Sequence, residues 1–328
     1  MFRLLKLVFP AGLLMAGWMF YEKFEIAGLG NLNVKPRDGT SIGYGSTQHG
    51  LPPAEQVGDS IRIASFNIQV FGESKLSKPG VVDVLANVIR QFDVVAVQEV
   101  RANSQAVLPQ FVSVINSGGM HYDFCIGPRL GRTSSKEQYA FIYNAARVEL
   151  DRNAVYTIND PDDLLHREPL VASFRVRGLA AQDAFTFTLI NIHTDPDEVQ
   201  REVDVLADVY RVVRDDGRQE DDIILLGDLN ADDQHLGRLG QVPYALAAIS
   251  GVPSNTHGTQ LYDNILFDQR ATTEFTGRSG VFDLMKAYNL SMEQALLVSD
   301  HFPVWAEFGA VEGGRPGQFA RQPAVQSR

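Results

Sequence analysis

Between Ser60 and Ala310, short apolar runs alternate with longer amphipathic ones, and the two kinds follow different periods. "IRIASFNIQVF" places apolar residues at every second position through Ile61 and Ile63 before it reaches Asn67, the repeat of a half-buried strand. "FDVVAVQEVR" is apolar without a break until Glu99, as suits a strand covered on both faces. "FTFTLINIHTD" ends at His193 and "DDIILLGDLNAD" at Asp228 and Asn230; "LYDNILF" carries Asp263, and "VSDHFPVWAEF" carries Asp300 and His301. Between them, "KPGVVDVLANVIRQF", "AVLPQFVSVINSGG" and "DEVQREVDVLADVYRVVRDD" have helical spacing. Strand-like runs outnumber helices and do not alternate with them strictly. This predicts an α/β chain of the α+β type, two mixed β-sheets packed face to face with helices outside.

The pattern breaks at both ends. Residues 1–25 hold an apolar run from Leu4 to Phe20, with Arg3 and Lys6 near its start and Trp18, Phe20 and Tyr21 at its far end. About 17 residues is the shortest length that spans a bilayer and exceeds a usual signal-peptide core. No small-x-small cleavage site follows, so an uncleaved signal-anchor is the first expectation, ahead of a cleaved signal peptide and of a buried or interfacial helix. The early positive charges put the N-terminus in the cytoplasm and the bulk of the chain outside it, or secreted if the segment is removed. Residues 26–59 are rich in Gly, Pro, Asn and Ser and read as a flexible linker, and residues 311–328 read as a disordered tail. The folded domain is expected over 60–310.

Composition narrows the chemistry. With 328 residues, 45% of them hydrophobic, the chain can bury a large core. A formal net charge of −11 argues against gripping nucleic acid or anionic lipid by bulk electrostatics, so a polyanionic substrate would need metal ions or a few placed arginines. Cys125 is the only cysteine, which excludes an internal disulfide and a thiolate zinc cluster.

A lone Asn or Asp at a strand end is ordinarily a turn or cap, and a lone His on an apolar run is ordinarily a bonded core residue. Glu99 is harder to dismiss, because a carboxylate closing a buried strand must find a partner. Asp228 and Asn230, two positions apart, would share one face of an extended chain. Six strand-like runs each deliver an acid, amide or imidazole at one end, and independent turns would not need two histidines among them.

Taken in order, "SFNIQVFG", "VVAVQEVR", "LGRTSSKEQYAFIY", "HREPLV", "INIHTDP", "LLGDLNAD", "YDNILF" and "FDLMKAYNLSMEQALLVSDHFPV" resemble the endonuclease/exonuclease/phosphatase superfamily, most closely its deoxyribonuclease I branch. The resemblance covers Ile61 to Phe308. It implies a four-layered α/β sandwich with a phosphodiesterase site at the mouth between two sheets. It implies Glu99, Asn67, Asp228 and Asp300 as ligands of Mg²⁺ or Mn²⁺, with Ca²⁺ as a further candidate, all being oxygen donors. His301, oriented by Asp263, would be the base on water, and His193, oriented by Glu137, the acid on the leaving oxygen. Asn230 would steady the phosphate, while Arg101 and Arg167 would contact substrate.

The departures concern substrate grip. Gln69 replaces an arginine usual in the branch, Ser135 a tyrosine that enters the DNA minor groove, and Asn264 a common arginine; the branch's disulfide cysteines are absent, with Asp233 at one such place. The resemblance therefore implies a non-specific DNA endonuclease leaving 5′-phosphate ends. A hydrolase of the same fold acting on a lipid headgroup or nucleotide is the alternative, and a membrane-tethered adaptor the non-enzymatic one. Expected partners are DNA and, through residues 1–25, a membrane.

Overall fold

The first sheet is assembled around two parallel strands. It contains β1 (Gly43–Tyr44), β2 (Ser60–Phe71), β3 (Val94–Val100), β4 (Tyr122–Ile126), β5 (Gln138–Asn144), β12 (Phe275–Val281) and β13 (Val304–Gly309), in the order β1-β4-β5-β3-β2-β13-β12. The second contains β6 (Val148–Thr157), β7 (Leu170–Val176), β8 (Thr186–His193), β9 (Ile223–Asp228), β10 (Ala245–Ala247) and β11 (Asp263–Asp268), in the order β10-β11-β9-β8-β7-β6. Both sheets are mixed, since only β2/β3 and β8/β9 pair in parallel. The computed structural model describes residues 41–45, 58–132 and 136–319.

Alternation along β2 explains the layers. Ile61 and Ile63 face the second sheet and join a core with Phe141 and Tyr143 on one side and Phe174, Phe187 and Leu189 on the other. Ala64, Phe66 and Ile68 point the opposite way. They lie under α2 (Pro79–Ile89), α3 (Val107–Ile115) and α6 (Met292–Val298), whose Leu85, Ile89, Phe111 and Val298 fill that layer. α1 (Glu73–Leu76) and α5 (Leu284–Tyr288) are short connectors. On the far side, α4 (Val199–Arg214) covers the second sheet with Val203, Leu206 and Tyr210, and the Tyr210 hydroxyl donates to Ile223 O at 3.1 Å. The four-layered sandwich expected from the sequence is therefore present.

Three boundaries need correction. Gly43–Tyr44, read as linker, adds an edge strand antiparallel to β4. Residues 311–319, read as tail, run back over the second sheet: Val311 bridges to Ala184, and Gly317 N donates to Thr186 Oγ1 at 2.7 Å. Asp300 and His301 precede β13; a helix opened by a Ser291–Gln294 capping box leads into them. The apolar segment 1–25, Ser135 and residues 320–328 lie outside the described residues. Among the described residues no helix is long and apolar enough to cross a membrane.

Gly227 lies beside Ile192 where β9 pairs with β8, and a methyl there would fall inside the Ile192 carbonyl group. Gly227→Ala is expected to destabilise the fold by about 2–4 kcal/mol, because neither backbone can withdraw without breaking the ladder. A urea unfolding midpoint equal to that of the parent would show that the two strands can part.

Candidate active site

Strand directions bring the polar residues to one edge. In the second sheet His193 and Asp263 both stand opposite Asp228, as the last residue of β8 and the first of β11. In the first sheet Asn67 pairs with Gln98 across β2 and β3, while Glu137 and His301 just precede β5 and β13, each antiparallel to its neighbour. The edge is therefore lined from both sheets.

Glu99 reaches it through a bulge. Strict alternation along β3 would put its side chain under the helices with Val95 and Val97. The register with β5 slips between Val97 and Val100, and Glu99 takes a left-handed φ of 60°. Its carboxylate then accepts from Val70 N at 2.8 Å and from Asn67 Nδ2 at 3.3 Å. Gln69 and Val70 are also left-handed, at 43° and 51°.

Each histidine is held by a carboxylate from the opposite sheet. His193 Nδ1 lies 2.9 Å from Glu137 Oε1, and His301 Nδ1 lies 2.8 Å from Asp263 Oδ2. Both Nε2 atoms sit 3.5 Å from Asp228 Oδ2, which also accepts from Asn67 Nδ2 at 3.0 Å. Burial alone would depress both imidazoles, but Glu137 and then Asp228 raise His193, and Asp263 and then Asp228 push His301 up to about 10. Burial would likewise raise Asp228, yet His301, His193 and the Asn67 amide hold it below the ordinary range.

The other predicted residues divide. Arg101 stands at the rim, 3.2 Å from Glu99 and 3.5 Å from Glu137, with about a quarter of its side chain exposed (27%). Arg167 is instead buried, 3.3 Å from Glu137 and donating to the carbonyls of His193 and Thr194, so it braces the His193 pair and does not stand at the rim. Asn230 does not share an extended face with Asp228, because β9 ends at Asp228 and Asn230 turns at φ 47°. Its amide nitrogen donates to Thr194 O at 3.0 Å, and its backbone N–H to Asp228 Oδ1 at 3.1 Å. Asp300 is half-exposed at the mouth, 3.9 Å from His301 Nε2.

Sequence reading missed the residues that hold this edge in place. Lys75 is buried and donates to Ile68 O, Gln69 O and Val298 O, tying the Gln69–Val70 turn to the end of α6; burial lowers its pKa to about 8. Ser299 Oγ donates to Asn67 O at 2.7 Å and accepts from His301 N, fixing the histidine to β2. Ser254 Oγ donates to Asp263 Oδ2 at 2.7 Å. Nothing distinguishes a buried lysine or serine from a surface one in a short polar stretch. Asn264, by contrast, is internal: its amide bonds both backbone groups of Ile249.

The donors suit a hard divalent cation. Both Nδ1 atoms are occupied by carboxylates and both Nε2 atoms face Asp228, while Glu99, Asp228 and Asp300 bring carboxylate oxygens to the mouth, the donors a hard cation prefers. Two triplets of candidate ligand atoms lie within 4.8 Å of one another here, Glu99–Glu137–His193 and Asp228–Asp263–His301. Asp300 belongs to neither. Asn67 turns its NH₂ toward Glu99 and Asp228 and its oxygen toward Gln69 N at 2.9 Å, so it would offer oxygen to a cation only after rotating.

Comparison with known proteins places the chain among relatives of one family and fold. Residues 64–301 match the model of the Endonuclease/Exonuclease/phosphatase family. Rat deoxyribonuclease gamma is 35% identical over 262 residues, spanning 75% of this chain and 83% of that protein. Bovine deoxyribonuclease-1 is 29% identical over 267 residues, spanning 76% and 92%. Among solved structures, humanized D. rerio TDP2 superposes with a TM-score of 0.54 at 17% identity, covering 77% of this chain and all of that one (100%), which is a likeness of fold.

In chelator, the His301–Asp263 pair should leave a signature in stability. The folded imidazole, at about 10, holds its proton above the unfolded value of about 6.5. Its stabilisation is thus complete below about pH 6.5 and lost as pH rises through about 10. Asp263→Asn should flatten that loss in urea midpoints taken across the window; parallel curves for the two proteins would contradict the pairing.

Proposed function

The chain belongs to the endonuclease/exonuclease/phosphatase family, and on that footing we propose that it is a divalent-metal-dependent phosphodiesterase that cuts DNA non-specifically and leaves 5′-phosphate ends. The observation that carries the reading is the pair of carboxylate-held histidines, one from each sheet, whose Nε2 atoms both lie 3.5 Å from Asp228 Oδ2. An in-line displacement at phosphorus needs one group to take a proton from water and another to give one to the leaving alkoxide. His301 takes the proton of the attacking water; Asp263 keeps its Nδ1 protonated and its Nε2 turned to the mouth. His193 gives its Nε2 proton to the leaving oxygen and is reprotonated from solvent, the Glu137 carboxylate at Nδ1 favouring the charged imidazole.

Glu99 and Asp228, with Asp300 and a rotated Asn67, would hold a hard cation such as Mg²⁺ or Mn²⁺, which would supply charge neutralisation for the phosphoryl oxygens. With Asp228 engaged in that way, its pull on both imidazoles would weaken, favouring the neutral His301 a base requires. Arg101 contacts a phosphate at the rim, Asn230 steadies it, and Arg167 acts from behind by fixing Glu137. Gln69 in place of arginine favours a loose grip on the duplex, with little sequence preference.

Glu99→Ala or Asp228→Ala should each lower kcat on plasmid DNA by about 10³-fold, the loss expected when a cation that stabilises transition-state charge is released. Chelator should abolish parental activity, and religation of the products should depend on 5′-phosphate. Full cleavage in chelator would sink the metal reading, whereas faster hydrolysis of a choline or inositol phospholipid than of any DNA would transfer the same site to the lipid alternative.

Residues 1–25 support a further proposal, that the chain is held to a membrane by an uncleaved signal-anchor with its catalytic domain on the non-cytoplasmic side. The full chain should then resist carbonate extraction. Release by high salt, or a mature N-terminus beyond residue 17, would exclude the anchor.

A further inference from the structure

Six residues before Asp228, at the opposite end of β9 and about 20 Å away at ~3.3 Å per residue, the chain buries a second set of acids. Asp222 is fully buried (0% exposed), and Glu220 and Glu274 are nearly so. Ligand atoms of Asp222, Glu274 and Glu312 lie within 4.8 Å of one another, as do those of Glu220, Asp221 and Asp222.

The hydrogen bonds around this set leave its centre unsatisfied. Glu312 Oε2 accepts from Thr186 N at 3.0 Å and its Oε1 from Gly314 N at 3.1 Å; Glu220 Oε1 accepts from Asp222 N at 3.0 Å; Glu274 Oε1 accepts from Gly313 N. Both oxygens of Asp222, Glu274 Oε2 and Thr272 Oγ1 are buried with no partner at hydrogen-bond geometry. Thr272 lies near enough to ease the Asp222 charge slightly, while the charged groups that act on Asp222 most strongly are acids, Glu274, Glu220 and Glu312. Arg315 acts on Asp221 at the margin. A fully buried carboxylate with both oxygens orphaned among three more acids is missing its positive charge.

We propose that Asp222, Glu220, Glu274 and Glu312, with the Thr272 hydroxyl, form a structural Ca²⁺ site that pins residues 311–319 to the second sheet. The donors are all hard oxygens in a site built by protein on every side. Ca²⁺ accepts six to eight such ligands at irregular angles, while Mg²⁺ would demand an octahedron and keep its waters. The segment that supplies Glu312 is the stretch past the last described strand, and its docking places backbone N–H groups on two of the four acids, Gly313 N on Glu274 and Gly314 N on Glu312. Without a cation, burial and then the adjacent acids push Asp222 up to about 10, and burial pushes Glu220 up to about 7, so protons are the competing occupant.

The test is thermal unfolding of full-length protein, stripped with chelator and titrated with Ca²⁺ alone or Mg²⁺ alone. Any Ca²⁺ at the catalytic edge is controlled by Glu99→Gln. The parent and Glu99→Gln should gain roughly 3–5 °C in Tm per tenfold rise in free Ca²⁺ beyond half-saturation, and much less with Mg²⁺. Asp222→Asn should lose that gain while matching or exceeding the parent's Tm in chelator, since it removes an uncompensated charge. Half-buried Glu312→Gln, which disturbs the core least, should lose the gain too and carries the test if Asp222→Asn does not fold. A Ca²⁺ gain in these two variants equal to the parent's overturns the site. So does a parent indifferent to Ca²⁺, above all one that grows less stable as pH rises through about 7, since that is the behaviour of protons shared among the acids.

Discussion

Asp228 is the charge on which the catalytic edge depends. A carboxylate closed off from water is costly, and the penalty grows with every ångström of low-dielectric surroundings unless positive or hydrogen-bonding groups meet it. Here they come from both sheets: two imidazoles at 3.5 Å, the Asn67 amide at 3.0 Å and the Asn230 backbone. Those partners are in turn fixed by Glu137, Asp263 and Ser299, so the position of one buried acid propagates outward through most of the polar contacts at that edge.

The backbone bends where this arrangement needs it. Four of the eight described non-glycine residues with positive φ, namely Gln69, Val70, Glu99 and Asn230, flank the catalytic edge. Each costs on the order of 1–3 kcal/mol and persists only where its surroundings over-determine it. Lys75 supplies that insistence for the first two, gripping three carbonyls from two elements, and the Glu99 carboxylate accepts the Val70 N–H in return. Strain here aims side chains that straight strands would turn away.

Much of this was legible in the amino-acid sequence because strand and helix periods are local. The runs ending at Asn67, Glu99, His193 and Asp228 became strands ending at or just beyond those residues, and the three helical stretches became α2, α3 and α4. Motif resemblance pointed to Asn67, Glu99, Glu137, His193, Asp228, Asp263, Asp300 and His301, which the fold gathers at one edge. What escaped was decided by tertiary packing. Arg167 reads as a residue that reaches substrate, and only the fold shows it turned inward against Glu137. The roles of Lys75 and Ser299 depend on loops separated by more than 200 residues, as in the Ser299–Asn67 bond across 232 positions. The edge strand at Gly43–Tyr44 and the docked segment 311–319 lack apolar period altogether, since their backbones do the binding.

Both imidazole–carboxylate pairs, and the Asn67–Asp228 contact, join one sheet to the other. Neither sheet alone supplies both members of either pair, and His301 lies three residues before β13, the last of the described strands. A chain still emerging from the ribosome therefore has no competent histidine pair at Asp263, however completely its earlier elements have folded. Under the proposed mechanism both histidine–carboxylate pairs are in place only once β13 has docked against β2, so the site is completed late in the synthesis of the described chain.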